Sequence, residues 1–483
     1  MKIFRKNAAA ITALITLLIA GILGGGIISA QNSGTLYLKD IQGDREVLGD
    51  VVIDGVLQDS WHGQNFSIDG GNLKKSFRFY DESSDLVMSS QSPYGNTTYI
   101  DGIQYYQIID ARPSQDANVE VESKPWEPAE AASSGAGSPL PESIRYIEEI
   151  TRADKIDLFV NMNRQNAKGI REAVVRVNTG IQLKSQEKEF LFNKTYYINE
   201  NEAPPVRNVV AENSNIGLVS RGNSNNSFTV IKDKLYFTVL TDKRASGNNG
   251  IFRIDEWETW SNWDNREDYG SFEKIVNTSL DGNNIDILGL ENVNDKLVMY
   301  MLIDNVLTFR AFEPDTGALI DELTLESAVV NDKNNFYQVF KQGKYLTVCF
   351  MNKTRMAVSV KFESRFTLEH FAGSLAFEGI REEAAMLDNA AVVNGKLFIF
   401  TYVTDETDSG ISVDILKRRK FILLVYDRTD SSGKLLYKGE LVSDANEDTV
   451  YDRQNMANSG GYSLYDYRQF DAVRVYSASE IEG

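Results

Sequence analysis

Between Val293 and Leu325 the chain reads VNDKLVMYMLIDNVLTFRAFEPDTGALIDELTL, and its apolar and polar positions divide it into three strands and two turns. Val293 to Ile303 is a nearly continuous apolar run, the pattern of a strand covered on both faces. Asp304-Asn305 follows as a two-residue turn, because both residue types accept left-handed backbone and bond their own main chain. Val306 to Phe312 is the second strand. Glu313-Pro314-Asp315-Thr316-Gly317 is a tight turn in which Pro fixes φ and Gly accepts positive φ. Leu319 to Leu325 then alternates, as a half-exposed outer strand does. One meander of this size cannot cover its own faces and needs sister sheets beside it.

The chain supplies them. Four segments share a small polar turn, a lysine and a run of large apolar residues: IKDKLYFTVL (231–240), VNDKLVMYML (293–302), KQGKYLTVCF (341–350) and VNGKLFIFTY (393–402). Their lysines, Lys234, Lys296, Lys344 and Lys396, are separated by 62, 48 and 52 residues. Second strands follow at Phe252–Asp255, Val306–Glu313, Ala357–Glu363 and Phe421–Asp427. Repeats of about 40–50 residues with three or four strands each are the signature of β-propeller blades. A stack of β-sandwich domains is the rival, but the repeat is half a sandwich in length. The expected fold is all-β, a propeller of about seven four-stranded blades, with Gly461 to Tyr476 supplying a last strand.

Outside the repeats, Val51 to Leu57, Phe77 to Tyr80 and Tyr99 to Ile109 read as strands in an N-terminal β segment, 31–110. Five of the nine prolines then fall between Pro113 and Pro141, among Glu, Ala, Ser and Gly. That composition predicts a flexible linker or loop over 111–142, with the propeller body at 143–483. Glu142 to Lys155 is the best helical stretch, with Ile144, Ile147 and Ile150 at helical spacing behind a Ser143 cap. Strands resume at Ile156–Val160, Ala173–Val177 and Phe190–Ile198.

The first 30 residues follow a different pattern. Lys2, Arg5 and Lys6 precede an uncharged apolar run from Ala8 to Ala30. As a helix, this run spans roughly 34 Å, enough for about 30 Å of hydrocarbon. The basic flank puts the N-terminus in the cytoplasm and the body outside. Residues 1–30 are thus an N-terminal membrane anchor or signal segment, and a cleaved signal peptide ending at Ala30 is the alternative. Either way the body is extracytoplasmic.

Removing those three cations from the formal charge of −19 leaves −22 for the rest of the chain. Such a surface excludes nucleic acid as a partner. Cys349 is the single cysteine, so no disulfide forms within the chain. It lies in the apolar run Tyr345–Met351 and reads as a buried, inert thiol. An exported protein without disulfides suits a bacterial envelope.

Asp315-Thr316-Gly317, and Asp427 with Ser432-Gly433-Lys434, resemble the turn that ends each blade in the quinoprotein (PQQ-type) propeller superfamily. The Trp that follows this turn in the superfamily is replaced here by Ile320 and Tyr437. The resemblance covers four repeats, roughly 228–445. The quinone-dependent dehydrogenases of the superfamily carry a vicinal disulfide beside the cofactor, which one cysteine cannot form. The resemblance therefore implies a non-catalytic envelope scaffold or binding platform.

Candidate chemistry is sparse. His62 and His370 are the only histidines, and no zinc-ligand spacing exists. His62, in Asp59-Ser60-Trp61-His62-Gly63, reads as a surface turn residue rather than part of a Ser-His-Asp arrangement. Partial oxygen-ligand sets for calcium occur at Asp405, Asp408 and Gly410, and at Asp281, Asn283 and Asp286. Neither fits a calcium-loop pattern. Trp257, Trp260 and Trp263 are spaced three apart, on one face of a helical turn, where they would pack over the neighbouring blade or meet a glycan, a protein partner or the membrane interface. The reading is a membrane-anchored extracytoplasmic propeller that binds an envelope protein or polymer, with no catalytic residue or cofactor assigned. The alternative is a hydrolase using acidic funnel residues, with or without calcium.

Overall fold

Left-handed backbone at Lys232, Asn294, Asp295, Gly343, Asn394 and Gly395 (φ +58, +52, +57, +55, +49 and +74°) marks the four tight turns that lead into the aligned lysines. Such φ values match the twist of the flanking strands, and Asn, Asp and Gly tolerate them best. Each turn closes an antiparallel pair. The computed structural model describes residues 35–58, 62–80, 97–100, 103–126, 144–165, 171–183, 190–199, 228–239, 245–246, 250–255, 272–277, 285–331, 337–351, 355–373, 375, 386–404, 419–427, 434–443 and 469–480, together with Thr16. These are strands in seven antiparallel sheets, with short 3-10 turns at Arg45–Leu48 and Ala478–Glu480.

The chain divides into two units. The first comprises residues 1–93, 99–102 and 330–483. It holds the strands β1 (Leu36–Gly43), β2 (Val51–Gln58), β3 (His62–Asp69) and β4 (Asn72–Phe79). The second unit, residues 94–98 and 103–329, follows in the chain. Its first two sheets use β5 (Thr97–Ile100), β6 (Ile103–Pro113), β7 (Val119–Trp126), β8 (Ile144–Ala153), β9 (Ile156–Gln165), β10 (Arg171–Leu183) and β11 (Phe190–Asn199). They run β14-β10-β9-β6-β5, closed by the short β14 (Ala245–Ser246), and β11-β8-β7. Its other two are meanders in chain order. One is β12 (Phe228–Ile231), β13 (Lys234–Val239), β15 (Gly250–Asp255) and β16 (Phe272–Asn277). The other is β17 (Ile285–Val293), β18 (Lys296–Ile303), β19 (Val306–Phe312) and β20 (Leu319–Val329).

The first unit resumes with the meander β21 (Tyr337–Gln342), β22 (Tyr345–Met351), β23 (Arg355–Phe362) and β24 (Phe366–Ala372). Next come β25 (Met386–Val393), β26 (Lys396–Thr404), β27 (Arg419–Asp427) and β28 (Leu435–Ser443), and β1 adds to the outer edge of β28 as a fifth strand. The last strand, β29 (Gln469–Ser477), heads the sheet β29-β2-β3-β4, pairing Val51 with Ser477. Two sheets of this unit are therefore each zipped from N- and C-proximal segments.

The cores follow from the pattern. β18 is buried on both faces, with Leu297, Met299 and Met301 packed among Ile287, Leu290 and Phe312. β20 alternates and keeps Leu319, Glu322 and Thr324 exposed. In the first unit, Phe398, Phe400, Phe421 and Leu423 join Ile53, Leu57, Phe66 and Val475 in one cluster.

Several expectations change. β17 ends at Val293 and the turn takes Asn294-Asp295, so the apolar run is a strand only from Lys296. The Glu142–Lys155 stretch is no helix: Ile144–Ala153 is β8, paired with β7 on one side and β11 on the other. The three isoleucines are β-branched, and two flanking ladders outweigh their helical three-residue spacing. The 111–142 stretch is paired strand over Val119–Trp126, where alternating Val and Glu suit a sheet. Residues 127–143 lie outside the described residues. So do residues 1–30 except Thr16, and no helix among the described residues is long and apolar enough to cross a membrane.

Candidate binding site

The repeated turns fasten sheet to sheet within each unit. Asp315, in the turn between β19 and β20, accepts from Lys234 Nζ of the neighbouring sheet at 2.7 Å. That hydrogen bond holds its carboxyl below the usual carboxylate range. Arg253 Nη1 donates to the Asp315 carbonyl at 3.3 Å, and Nη2 to Glu273 at 2.8 Å. Gly317 (φ +66°) lies so close that a Cβ there would stand 1.9 Å from the Ile275 carbonyl oxygen. The related turn at Asp427 repeats the closure, Asp427 N–H to Lys434 O at 2.9 Å matching Glu313 N–H to Ala318 O at 2.9 Å. Its Asp427 carbonyl accepts from buried His370 Nε2 of β24 at 3.1 Å, which fixes that nitrogen as the protonated one.

The aligned lysines are all ion-paired, two of them across a seam. Lys396 reaches Asp50 Oδ1 at 2.8 Å and the Val47 carbonyl at 2.9 Å. Lys296 and Lys344 stay within their own sheets, on Glu313 and Glu363. The inner edges of β21, β25 and β29 are joined by amides. Gln338 bonds both backbone groups of Leu387, Asn389 Nδ2 donates to Val473 O at 2.6 Å, and Gln342 Nε2 to Val475 O at 2.6 Å. Edge strands whose polar groups are met by side chains cannot slide, so the polar groups named here build a rigid frame.

The sheet β29-β2-β3-β4 presents something else. Phe66 crosses Gly55, where a Cβ would stand 2.5 Å from its ring, and meets Phe470 edge-on at 5.8 Å. Phe421 stacks on Phe470 at 4.5 Å. Tyr402 Oη donates to the Phe470 carbonyl at 2.9 Å and accepts its N–H at 2.7 Å. Toward the outer edge the rings open outward. His62 lies 5.6 Å from Phe77 and 5.3 Å from Phe79, Phe77 and Phe79 stand edge-to-face at 5.2 Å, and Phe79 is 54% exposed. Gln64, directly opposite Phe77, is 1% exposed, and neither its Nε2 nor its Oε1 has a hydrogen-bond partner. On the reverse face Gln58 bridges Tyr80 Oη (2.7 Å) and Asp471 Oδ2 (3.2 Å). Rings with an unmet amide beneath them can stack on a planar or apolar group and give it one directional contact.

His62 is therefore a half-buried strand residue among rings, not a surface turn residue. Its neighbours Asp59 and Ser60 lie outside the described residues, as do Trp257, Trp260, Trp263, Asp281, Asn283, Asp405, Asp408 and Gly410. Asp286 is buried in β17. No three His, Cys, Asp or Glu side chains gather as a metal would need among the described residues. Cys349 is fully buried, and burial pushes its thiol pKa up. Sequence reasoning placed Phe77 and Phe79 on a strand but missed their ring cluster with His62. The signal was their i, i+2 spacing, which puts both rings on one face.

No protein-family model and no curated protein matches the chain. Among solved structures, a Synechocystis apocarotenoid oxygenase is similar at 9% identity, over 85% of this chain and 94% of that one, with a TM-score of 0.29. The WD40 domain of SCAP from fission yeast aligns at 9% identity over 85% and 91%, with a TM-score of 0.25. The β-propeller domain of Myceliophteria thermophila Cps50 aligns at 8% identity over 59% and 82%, with a TM-score of 0.23. At such TM-scores none of them carries an argument about this chain.

Proposed function

We propose that this chain is a binding or scaffold module, a β-propeller of about seven blades held at a cell membrane by residues 1–30 with its body extracytoplasmic. Its partner is an envelope protein or polymer. One observation supports the reading: Lys234, Lys396, Gln338, Asn389 and Gln342 fasten sheet to sheet, while the rings of His62, Phe77 and Phe79 turn outward with Phe79 exposed. Exposed aromatic groups on a rigid frame are the usual anchors of a binding surface.

The test is photo-crosslinking in intact cells from a photoreactive residue at position 79, with exposed Asn65 as the control position. A distinct adduct at 79 and none at 65 is expected. Equal adducts at both positions, or none at either, would overturn the assignment of this face. Deleting residues 1–30 should release the body from membranes after a salt wash, and retention would refute the anchor. Imaging of the purified body should resolve a closed ring of sheets, and an open row of separate domains would remove the propeller.

A further inference from the structure

We propose that β4 of one copy of this chain takes β20 of a second copy as an added strand, so that copies associate head to tail. Both strands stand at the end of their sheet orders, with no strand paired to their outer edges among the described residues. An outer edge presents a row of backbone donors and acceptors that another extended segment can complete.

The two edges carry opposite charge in one chain. β4 bears Lys74, Lys75 and Arg78 and no carboxylate, although the chain is formally −19. β20 bears Asp321, Glu322 and Glu326 and no cation, although Glu322 is paired with Arg310 of β19, as Lys74 is with Asp69 of β3. Lysines on an edge deter pairing between like edges, and carboxylates do the same. A cationic edge facing an anionic one loses that protection, and opposite charges across a strand pair attract. Each edge also presents apolar surface for the other to cover, with Phe79 on β4 and Leu319 and Val329 on β20 exposed. Because β4 and β20 are different surfaces, the contact joins unlike edges of two copies. The proposal goes beyond the binding-module reading and can fail without it.

The test uses the full chain in liposomes, prepared as an equal mixture of isotopically light and heavy protein and treated with a zero-length carbodiimide. Mixed light–heavy cross-links joining Lys74 or Lys75 to Asp321, Glu322 or Glu326 are expected. Asp321→Lys with Glu326→Lys should lower the yield of Lys74 or Lys75 joined to Glu322 about tenfold, the loss of two edge charge pairs. Mixing that variant with a Lys74→Glu, Lys75→Glu chain should restore cross-linking between the exchanged positions. Restoration by charge exchange excludes misfolding as the cause of the loss. Absence of mixed cross-links, their even spread over unrelated lysines, or no restoration would overturn the proposal. If position 79 captures a different envelope component while mixed cross-links are absent, self-pairing falls and the binding-module reading stands.

Discussion

Gln338 and Leu387 exchange two hydrogen bonds, the Leu387 N–H donating to Gln338 Oε1 at 2.7 Å and Gln338 Nε2 donating to the Leu387 carbonyl at 2.9 Å. The amide thereby imitates a strand partner, stitching the inner edge of β21 to that of β25. Both residues are buried, so neither backbone group has water to fall back on. Gln338→Leu should destabilise the fold by about 1–3 kcal/mol for each backbone group left unpaired. Urea denaturation should show a lower midpoint with an unchanged slope. A midpoint equal to the parent would mean that the edges hold without the amide.

Gly317 and Gly343 both have positive φ, +66° and +55°, yet they should tolerate alanine very differently. A Cβ at Gly317 would meet the Ile275 backbone of the next sheet, whereas nothing lies within 4 Å at Gly343. Gly343→Ala incurs only the left-handed penalty, about 1–2 kcal/mol. Gly317→Ala adds a backbone collision and should lower the melting temperature further. Equal losses would show that conformation, not sheet contact, selects the glycine.

These two cases also separate what the sequence makes legible from what it hides. Positive-φ turns, the lysine after each and the strand starts at Lys234, Lys296 and Lys396 are local, and their residue types announce them. The partner of each lysine is not local: Lys234 finds Asp315 and Lys396 finds Asp50 across sheet seams. Gln338 looks like any polar strand residue until β25 is placed beside it. The Ile144, Ile147 and Ile150 spacing points to a helix, and only the ladders with β7 and β11 overrule it. The His62, Phe77 and Phe79 cluster needed the β3–β4 register, which pairs His62 with Phe79. Strand identity was therefore readable in the repeats though not at β7 and β8, while contacts between strands distant in sequence were not.

Alkali should weaken the fold through its buried tyrosines, Tyr236 and Tyr476 among them. Burial pushes both Tyr236 and Tyr476 up to about 12, with the Tyr476 hydroxyl also donating to Asp54. Their folded pKa values exceed the unfolded value of about 10, so the unfolded chain releases its protons first. The stability they support is complete below about pH 10 and is lost as pH rises toward 12. Tyr236→Phe should flatten this alkaline loss, read as melting temperature against pH. An unchanged slope would acquit Tyr236.

Cys349 should report global unfolding. Its thiol is fully buried and held protonated by burial, and only the thiolate reacts with disulfide reagents. Labelling in native buffer should therefore track the unfolded fraction and speed up with urea. Rapid labelling without denaturant would mean that β22 opens locally.

The acid limb has the opposite sign. Hydrogen bonds from Lys234 and from Lys344 hold Asp315 and Glu363 below their ordinary carboxyl values. A carboxyl whose folded pKa is depressed adds stability above its unfolded pKa and loses it as pH falls through the folded one. Both pairs are solvent-exposed, so salt should shrink their contribution. Lys234→Met removes the main cause at Asp315, and the stability lost between about pH 5 and pH 3 should be smaller in this variant than in the parent. The difference between the two should narrow in 1 M salt, where the screening length is about 3 Å. A parent and a variant with superimposable acid limbs at low salt would show that the Lys234–Asp315 contact positions the turn without stabilising it.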